Sequence, residues 1–480
     1  MRKFTKTIAC GVLCTLMLTG CGQTEAPEHP IIETTITETT AAAVVMIEIK
    51  GGAEILSVPE DVRALELTCR EQMESLQGLA AELAQLEEIQ LTGFVPKAGE
   101  ILQLEEVFEN VHISCDQVEI LGKAYPADLE EIDLTELNRD DIPVLGQELK
   151  ALKNLQAVRL SPEGETGSVS LDDAAVLHEL CPELTYHYSV ELFGQVLSTD
   201  MKEVSYFKTS IGDAGLEEFR KLLPLMHDLD RLVLDWCGTS NEATAQLRDE
   251  FADSCSVVWR VFFGRYNCLT DTYKIWANGL LTVHAEVLKY CTEVRYIDLG
   301  HSAGLGNVDF LAYMPKIQVV ILGDCTAVTS IEPMRNCLDL EYIEIFSVKA
   351  SDLSPLENLT KLEHLNISRV PANDLSPIMG LSNLKRLWSN GNPHLEAQVA
   401  QFQEKYPDCQ VVTKGGNSVS YQWRYTDSTR QYYAPRYALL RAQIGYSAGE
   451  MSFYPRGYLR EEITYESTGI SPVEGHRVTD

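Results

Sequence analysis

Between residues 291 and 392, apolar residues return in one frame, apolar-x-x-apolar-x-apolar, and no other feature limits the fold as strongly. The frames are Val294, Ile297 and Leu299; Ile317, Val320 and Leu322; Leu340, Ile343 and Ile345; Leu362, Leu365 and Ile367; then Leu384 and Leu387. Their first residues are spaced 23, 23, 22 and 22 positions apart. Because side chains alternate along an extended chain, the fourth and sixth places of each frame project to the same side of a short strand. A second motif follows in three copies, Ile331-Glu-Pro-Met334, Leu353-Ser-Pro-Leu356 and Leu375-Ser-Pro-Ile378. Proline there starts a return turn or a first helical position, and its apolar partners fill the layer behind the strand. One such unit cannot bury its apolar face, whereas a stack of units can.

These residues resemble the short leucine-rich repeats of bacterial internalins. The resemblance implies an α/β fold, a leucine-rich-repeat solenoid with a curved parallel sheet whose concave face serves recognition. The first half carries a longer and looser period. Gly51, Gly122, Gly194 and Gly264 each end a β-like stretch, at spacings of 71, 72 and 70, and Asp128, Asp200 and Asp271 follow the last three. Each unit of this length reads as two or three strand–helix turns, with glycine suited to a tight turn. Irregular longer repeats in the N-terminal half before short repeats resemble a group of leucine-rich-repeat lipoproteins from anaerobic Firmicutes. The stretches carrying that likeness are Val233–Glu242, Asp298-Leu-Gly-His301 and Ile321-Leu-Gly-Asp-Cys325. The boundaries expected are 46–290 for the long units, 291–412 for the short repeats and 413–465 for a Tyr-rich segment, a candidate cap. A disordered tail is expected over 466–480.

The N-terminus has another character. Arg2, Lys3 and Lys6 precede an uncharged, mostly apolar run from Thr7 to Gly20, too short to span a bilayer as a mature helix. The run closes with Leu18-Thr19-Gly20-Cys21, which looks like the lipobox of bacterial lipoproteins. The resemblance implies a signal peptide over 1–20, cleavage before Cys21 and lipidation of its thiol. Residues 21–45, rich in Thr, Glu, Ala and Pro, read as a tether. The expected location is the extracytoplasmic face of a cell membrane, held by a lipid anchor.

Charge narrows the partners. The 480 residues carry a formal net charge of −32, and losing the three basic residues of the leader takes the mature chain to −35. Such a surface repels phosphate backbones, so no nucleic-acid partner is expected. The partner expected is a protein or peptide, with a glycan as a further option. No HExxH pair, GxxxxGK loop or CxxC motif occurs. No enzyme activity, cofactor or metal is expected, and a cell-envelope hydrolase or a purely structural spacer stands as the alternative. Of thirteen Cys, ten lie beyond Cys21, and they read as buried thiols. Cys237, Cys325 and Asn392 share a repeat position that faces the turn interior.

The odd places of the frames define the candidate binding face. The third place reads Tyr296, Val319, Tyr342, His364 and Arg386, and the fifth reads Asp298, Ile321, Glu344, Asn366 and Trp388. Phe346 and Asn390 continue the stripe, with His301, Asp324 and Arg369 beside it. Aromatic side chains separated by single charges mark a recognition surface when exposed on a sheet. The competing expectation is that the Tyr-rich segment, with nine of the 20 Tyr between 421 and 465, folds back over this stripe.

Overall fold

The computed structural model describes residues 45–52, 54–414, 423–426, 428–446 and 463–478. The leader, the lipobox cysteine and nearly all of the tether lie outside the described residues, and so does the middle of the Tyr-rich segment. No described helix is long and apolar enough to cross a membrane.

The repeat frames become strands where their spacing places them. Lys274–Trp276, Tyr296–Asp298, Val319–Ile321, Tyr342–Glu344, His364–Asn366, Arg386–Trp388 and Gln410–Val412 form a seven-stranded, wholly parallel sheet in sequence order. Register is exact in frame terms: Tyr296 pairs with Val319, Val319 with Tyr342, Tyr342 with His364, and His364 with Arg386. The sheet starts one strand before the first frame, at Lys274. The fourth and sixth places, such as Ile343 and Ile345, enter a core that runs through the repeats without a break. Behind the sheet the short repeats make only 3-10 turns, as in Glu332–Met334, Ser354–Leu356 and Ser376–Ile378, with Pro333, Pro355 and Pro377 opening the turns, until the last repeat, which carries the helix Glu396–Lys405.

The repeat position of Cys237, Cys325 and Asn392 has the interior role its place implies. Cys325 donates its thiol to Leu299 O at 3.2 Å, and Asn392 donates Nδ2–H to Ile367 O at 2.8 Å. Both acceptors are sixth-place carbonyls of the preceding strand, so thiol and amide satisfy equivalent backbone groups. Ten thiols are free among the described residues, and buried Cys268 and Cys291 approach to 3.9 Å.

The long units depart from one continuous curved sheet. Each supplies a separate set of three parallel strands: Ala64–Leu67, Glu88–Leu91 and His112–Cys115; Glu131–Asp133, Ala157–Arg159 and Thr185–His187; Glu203–Phe207, Arg231–Asp235 and Ser256–Phe263. An antiparallel hairpin follows each of the first two sets, and in the third the last strand itself turns back against Tyr266–Leu269; the return strand breaks the parallel ladder before the next unit begins. This explains the glycine period. Leu121-Gly122 and Phe193-Gly194 are two-residue hairpin loops with φ of 49° and 78°, then 50° and 79°. Both residues must be left-handed in such a loop, and glycine adopts that geometry at no steric cost. The long units also keep full helices, Leu171–Leu180 and Asn241–Glu250, whose N-caps Ser170 and Ser240 accept from Asp173 N and Ala243 N, each at 3.2 Å.

Candidate functional site

The sheet face expected to be open is closed by the chain's own C-terminal residues. Tyr296, Asp298, Ile321, Tyr342, Glu344, Phe346, His364, Asn366 and Trp388 are all buried. Arg386 is half-buried, and only His301, Asp324 and Arg369 keep substantial solvent contact, with side chains 74%, 37% and 53% exposed. The expectation that the aromatic stripe projects into solvent therefore fails. Its physical reason is a second core: Tyr296, Val319, Ile321, Tyr342 and Trp388 pack against Trp423, Tyr433, Tyr437, Leu440, Ile444 and Ile470. The sheet is apolar on both faces because both faces are covered, as in parallel sheets generally.

A strap of three pieces makes the cover. Residues 423–426 lie over the middle strands, the helix Pro435–Ile444 packs on Lys274–Trp276 and Tyr296–Asp298, and Tyr432–Tyr433 pairs with His476–Arg477. The tail expected to be disordered thus contributes a short helix, Tyr465–Thr468, a strand and a buried Ile470, which anchor it. Trp423 is the wedge. Its ring lies 5.5 Å from Tyr342, 5.6 Å from Trp388 and 6.2 Å from His364.

The acids of the face are matched by donors of the strap. Glu344 accepts from Trp423 Nε1 at 2.7 Å, from Arg424 Nη2 at 2.5 Å and from the Tyr342 hydroxyl. Asp298 accepts from the Tyr446 hydroxyl at 2.6 Å and from Gly300 N at 2.8 Å. Burial raises the Asp298 carboxyl above its usual range, against the opposing pull of Arg424. Burial works against the Arg424 charge, yet the Glu344 carboxylate holds that guanidinium well above its ordinary value. Tyr342 and Tyr446 are pushed well up by burial and then by these same carboxylates, so both remain O–H donors.

The exposed members of the predicted stripe share one backbone state. His301, Asp324 and Arg369 each sit three residues past the end of a strand with φ of 61°, 59° and 57°, and Ser347, at the equivalent place, has 65°. His301 and Arg369 flank Asp324 at 3.6 Å and 3.8 Å. They form a charged edge along the strand ends.

At the opposite edge, where the strands begin, strap and sheet do not close. A cleft of about 630 Å³ remains there, within the size range of small-ligand sites. Sheet residues Glu341, Glu363, His364, Lys385 and Arg386 form one wall, and Tyr425, Arg436, Gln443 and Tyr465 of the strap form the other. Of the residues predicted to bind, Tyr296, His364 and Arg386 line the cleft. Glu341, Glu363 and Lys385 were missed, although each fills the polar second place of its frame, the one available signal. The strap wall carried no signal, since no local pattern reveals which strand a distant segment will cross. Among the described residues no group of His, Cys, Asp and Glu is arranged to hold a metal ion.

Frame, register and turn chemistry together define a leucine-rich-repeat architecture. Solved structures similar to this chain include an internalin C2 from Listeria monocytogenes, at 16% identity over 45% of this chain and 74% of the other, with a TM-score of 0.24. An internalin, inlF, from the same organism matches at 15% identity over 75% of this chain and 85% of the other, again at 0.24. A leucine-rich-repeat protein of Leptospira interrogans matches at 13% identity, 73% and 90% coverage, and 0.24. Neither a protein-family profile nor a curated protein matches the sequence.

Proposed function

We propose that this chain is a leucine-rich-repeat binding scaffold, lipid-anchored through Cys21 outside the cytoplasm, that recognises a protein or peptide at the start of its strands. The observation carrying this reading is the cleft of about 630 Å³, which strap and sheet leave between them and line with charged and aromatic side chains. The long repeats act as a solenoid that holds the cleft away from the membrane. Burial of the central stripe favours a second reading, a structural spacer whose face is permanently closed.

Photo-crosslinking on intact cells separates the two. A photoreactive residue at Gln318 or Gln410, beside the cleft, captures a defined partner under the binding reading, whereas one at Lys361 does not. Equal or absent capture from all three positions favours the spacer. Anchoring has its own test: Cys21→Ala releases the protein from membranes, and retention refutes the lipid anchor.

A further inference from the structure

Arg386 is unlike the other cations of the cleft. Lys385 is paired with Glu363 at 2.5 Å, and Arg436 with Glu341 at 3.4 Å. Arg386 donates Nε–H to Gln410 Oε1 at 3.1 Å and Nη1–H to the Trp423 carbonyl at 3.0 Å, both neutral acceptors. Its guanidinium carbon lies 4.9 Å from the centroid of the Trp423 ring. A guanidinium carries five N–H donors, so these bonds leave the Nη2 end without an acceptor among the described residues. Burial lowers the Arg386 value, and the more distant Tyr342 and Glu344 offset this only in part.

His364 is the register partner of Arg386 on the adjacent strand. It is 6% exposed, lines the same cleft, and its Nδ1 is buried without a hydrogen-bond partner. The orphaned imidazole nitrogen is costly unless a partner completes it, and the guanidinium beside it is paired with no carboxylate among the described residues. The chain as a whole is strongly acidic, at −32, so this local deficit of negative charge is a property of the site.

We propose that the cleft binds the carboxylate of an amino acid or short peptide, with Arg386 as its fork and His364 as a second polar partner. A planar guanidinium matches a carboxylate through two parallel bonds. The wall also holds Glu341 and Glu363, which repel a dianion such as phosphate but accept from an α-ammonium group. Ligand charge of both signs is therefore matched within one cleft. Tyr425 and Tyr465 add aromatic surface at the strap side, which gives peptide side chains a place to pack. This assignment rests on the proposed binding function and names the ligand class of that site.

The test is calorimetric titration of the full mature chain with a mixture of unblocked tripeptides. Three further probes accompany it: the same mixture with amidated C-termini, free amino acids, and inorganic phosphate. Heat from the unblocked tripeptides, lost on amidation and not reproduced by phosphate, supports the assignment. Heat from free amino acids as well places the source at the α-carboxylate alone; heat from the tripeptides only assigns a peptide end. Arg386→Gln abolishes the signal. Because Arg386 also holds the Trp423 carbonyl, Lys385→Glu serves as a second variant. It adds negative charge at an exposed rim position and weakens binding on the order of tenfold without touching the strap. Undiminished binding of the amidated mixture, saturation by phosphate, unchanged affinity in both variants, or no heat from any peptide overturns the proposal. Cross-linked capture at Gln318 or Gln410 with no tripeptide binding refutes the carboxylate assignment and leaves the scaffold reading standing.

Discussion

Glu344, fully buried in the middle of the parallel sheet, is held by Arg424, a residue 80 positions later in the chain, at 2.5 Å between Oε2 and Nη2. The pair joins strap to repeats, and Trp423 Nε1 bonds the other carboxylate oxygen at 2.7 Å. Breaking a buried pair from one side leaves an uncompensated charge, which costs about 3–5 kcal/mol. Arg424→Met is therefore expected to lower the unfolding free energy by that amount, read as a lower denaturant midpoint at unchanged slope. The double variant with Glu344→Gln recovers part of the loss, because the stranded charge is gone. Denaturant melts of the three proteins check this, and an unchanged Arg424→Met melt refutes the role of the pair.

Acidification weakens the cover through His364. Burial, and then Arg386, Arg436 and Lys385, lower this imidazole well below its usual value of 6.5. The unfolded chain takes up a proton as pH falls through 6.5 while the folded chain does not, so stability present above that pH is lost below it. The loss approaches about 1.4 kcal/mol per pH unit until the folded value is reached. Melting curves at pH 7.5 and 5.5 show this slope in the parent, and His364→Asn removes that share of it.

Two neighbouring positions respond oppositely to small substitutions. A Cβ on Gly323 would fall within the ring of Phe346, so Gly323→Ala displaces a buried aromatic and is expected to cost about 1–3 kcal/mol. Asp324 adopts φ of 59°, where glycine is unstrained, so Asp324→Gly costs little or stabilises by a few tenths of a kcal/mol. Thermal melts of the two variants, with opposite displacements from the parent, check the pair.

Removing the strap exposes an apolar face. Truncation after Lys414 uncovers Tyr296, Val319, Ile321, Tyr342 and Trp388 while leaving the repeat core intact. The truncated protein is expected to bind the dye ANS strongly and to self-associate, with its far-ultraviolet dichroism largely kept. A monomeric truncation that binds no dye refutes the strap as a structural cover.

Legibility in the sequence followed the range of the interactions. The frames from Val294 to Leu387 needed only local alternation, and every one became a strand in the expected register. Pro333, Pro355 and Pro377 marked their turns because proline fixes φ by itself. The glycine period was visible too, but not its meaning: Gly122 and Gly194 close antiparallel hairpins that divide the long units into separate sheets. Alternation reports a strand and is silent on the direction of its partner.

The candidate site shows the same division. From sequence alone, the third and fifth places of each frame were known to share one side of the sheet. The residue types there, Tyr296, Tyr342 and Trp388 among charges, marked that side as unusual. Whether it met solvent or protein depended on Trp423, Arg424 and Tyr446, whose positions follow from contacts across more than 75 residues of chain. Such contacts leave no periodic trace, because each is made once and its partner is chosen by shape and charge in three dimensions. Tertiary structure therefore decided that the stripe is a second core, and that the accessible chemistry lies at the strand starts, where Arg386 and His364 face a cleft.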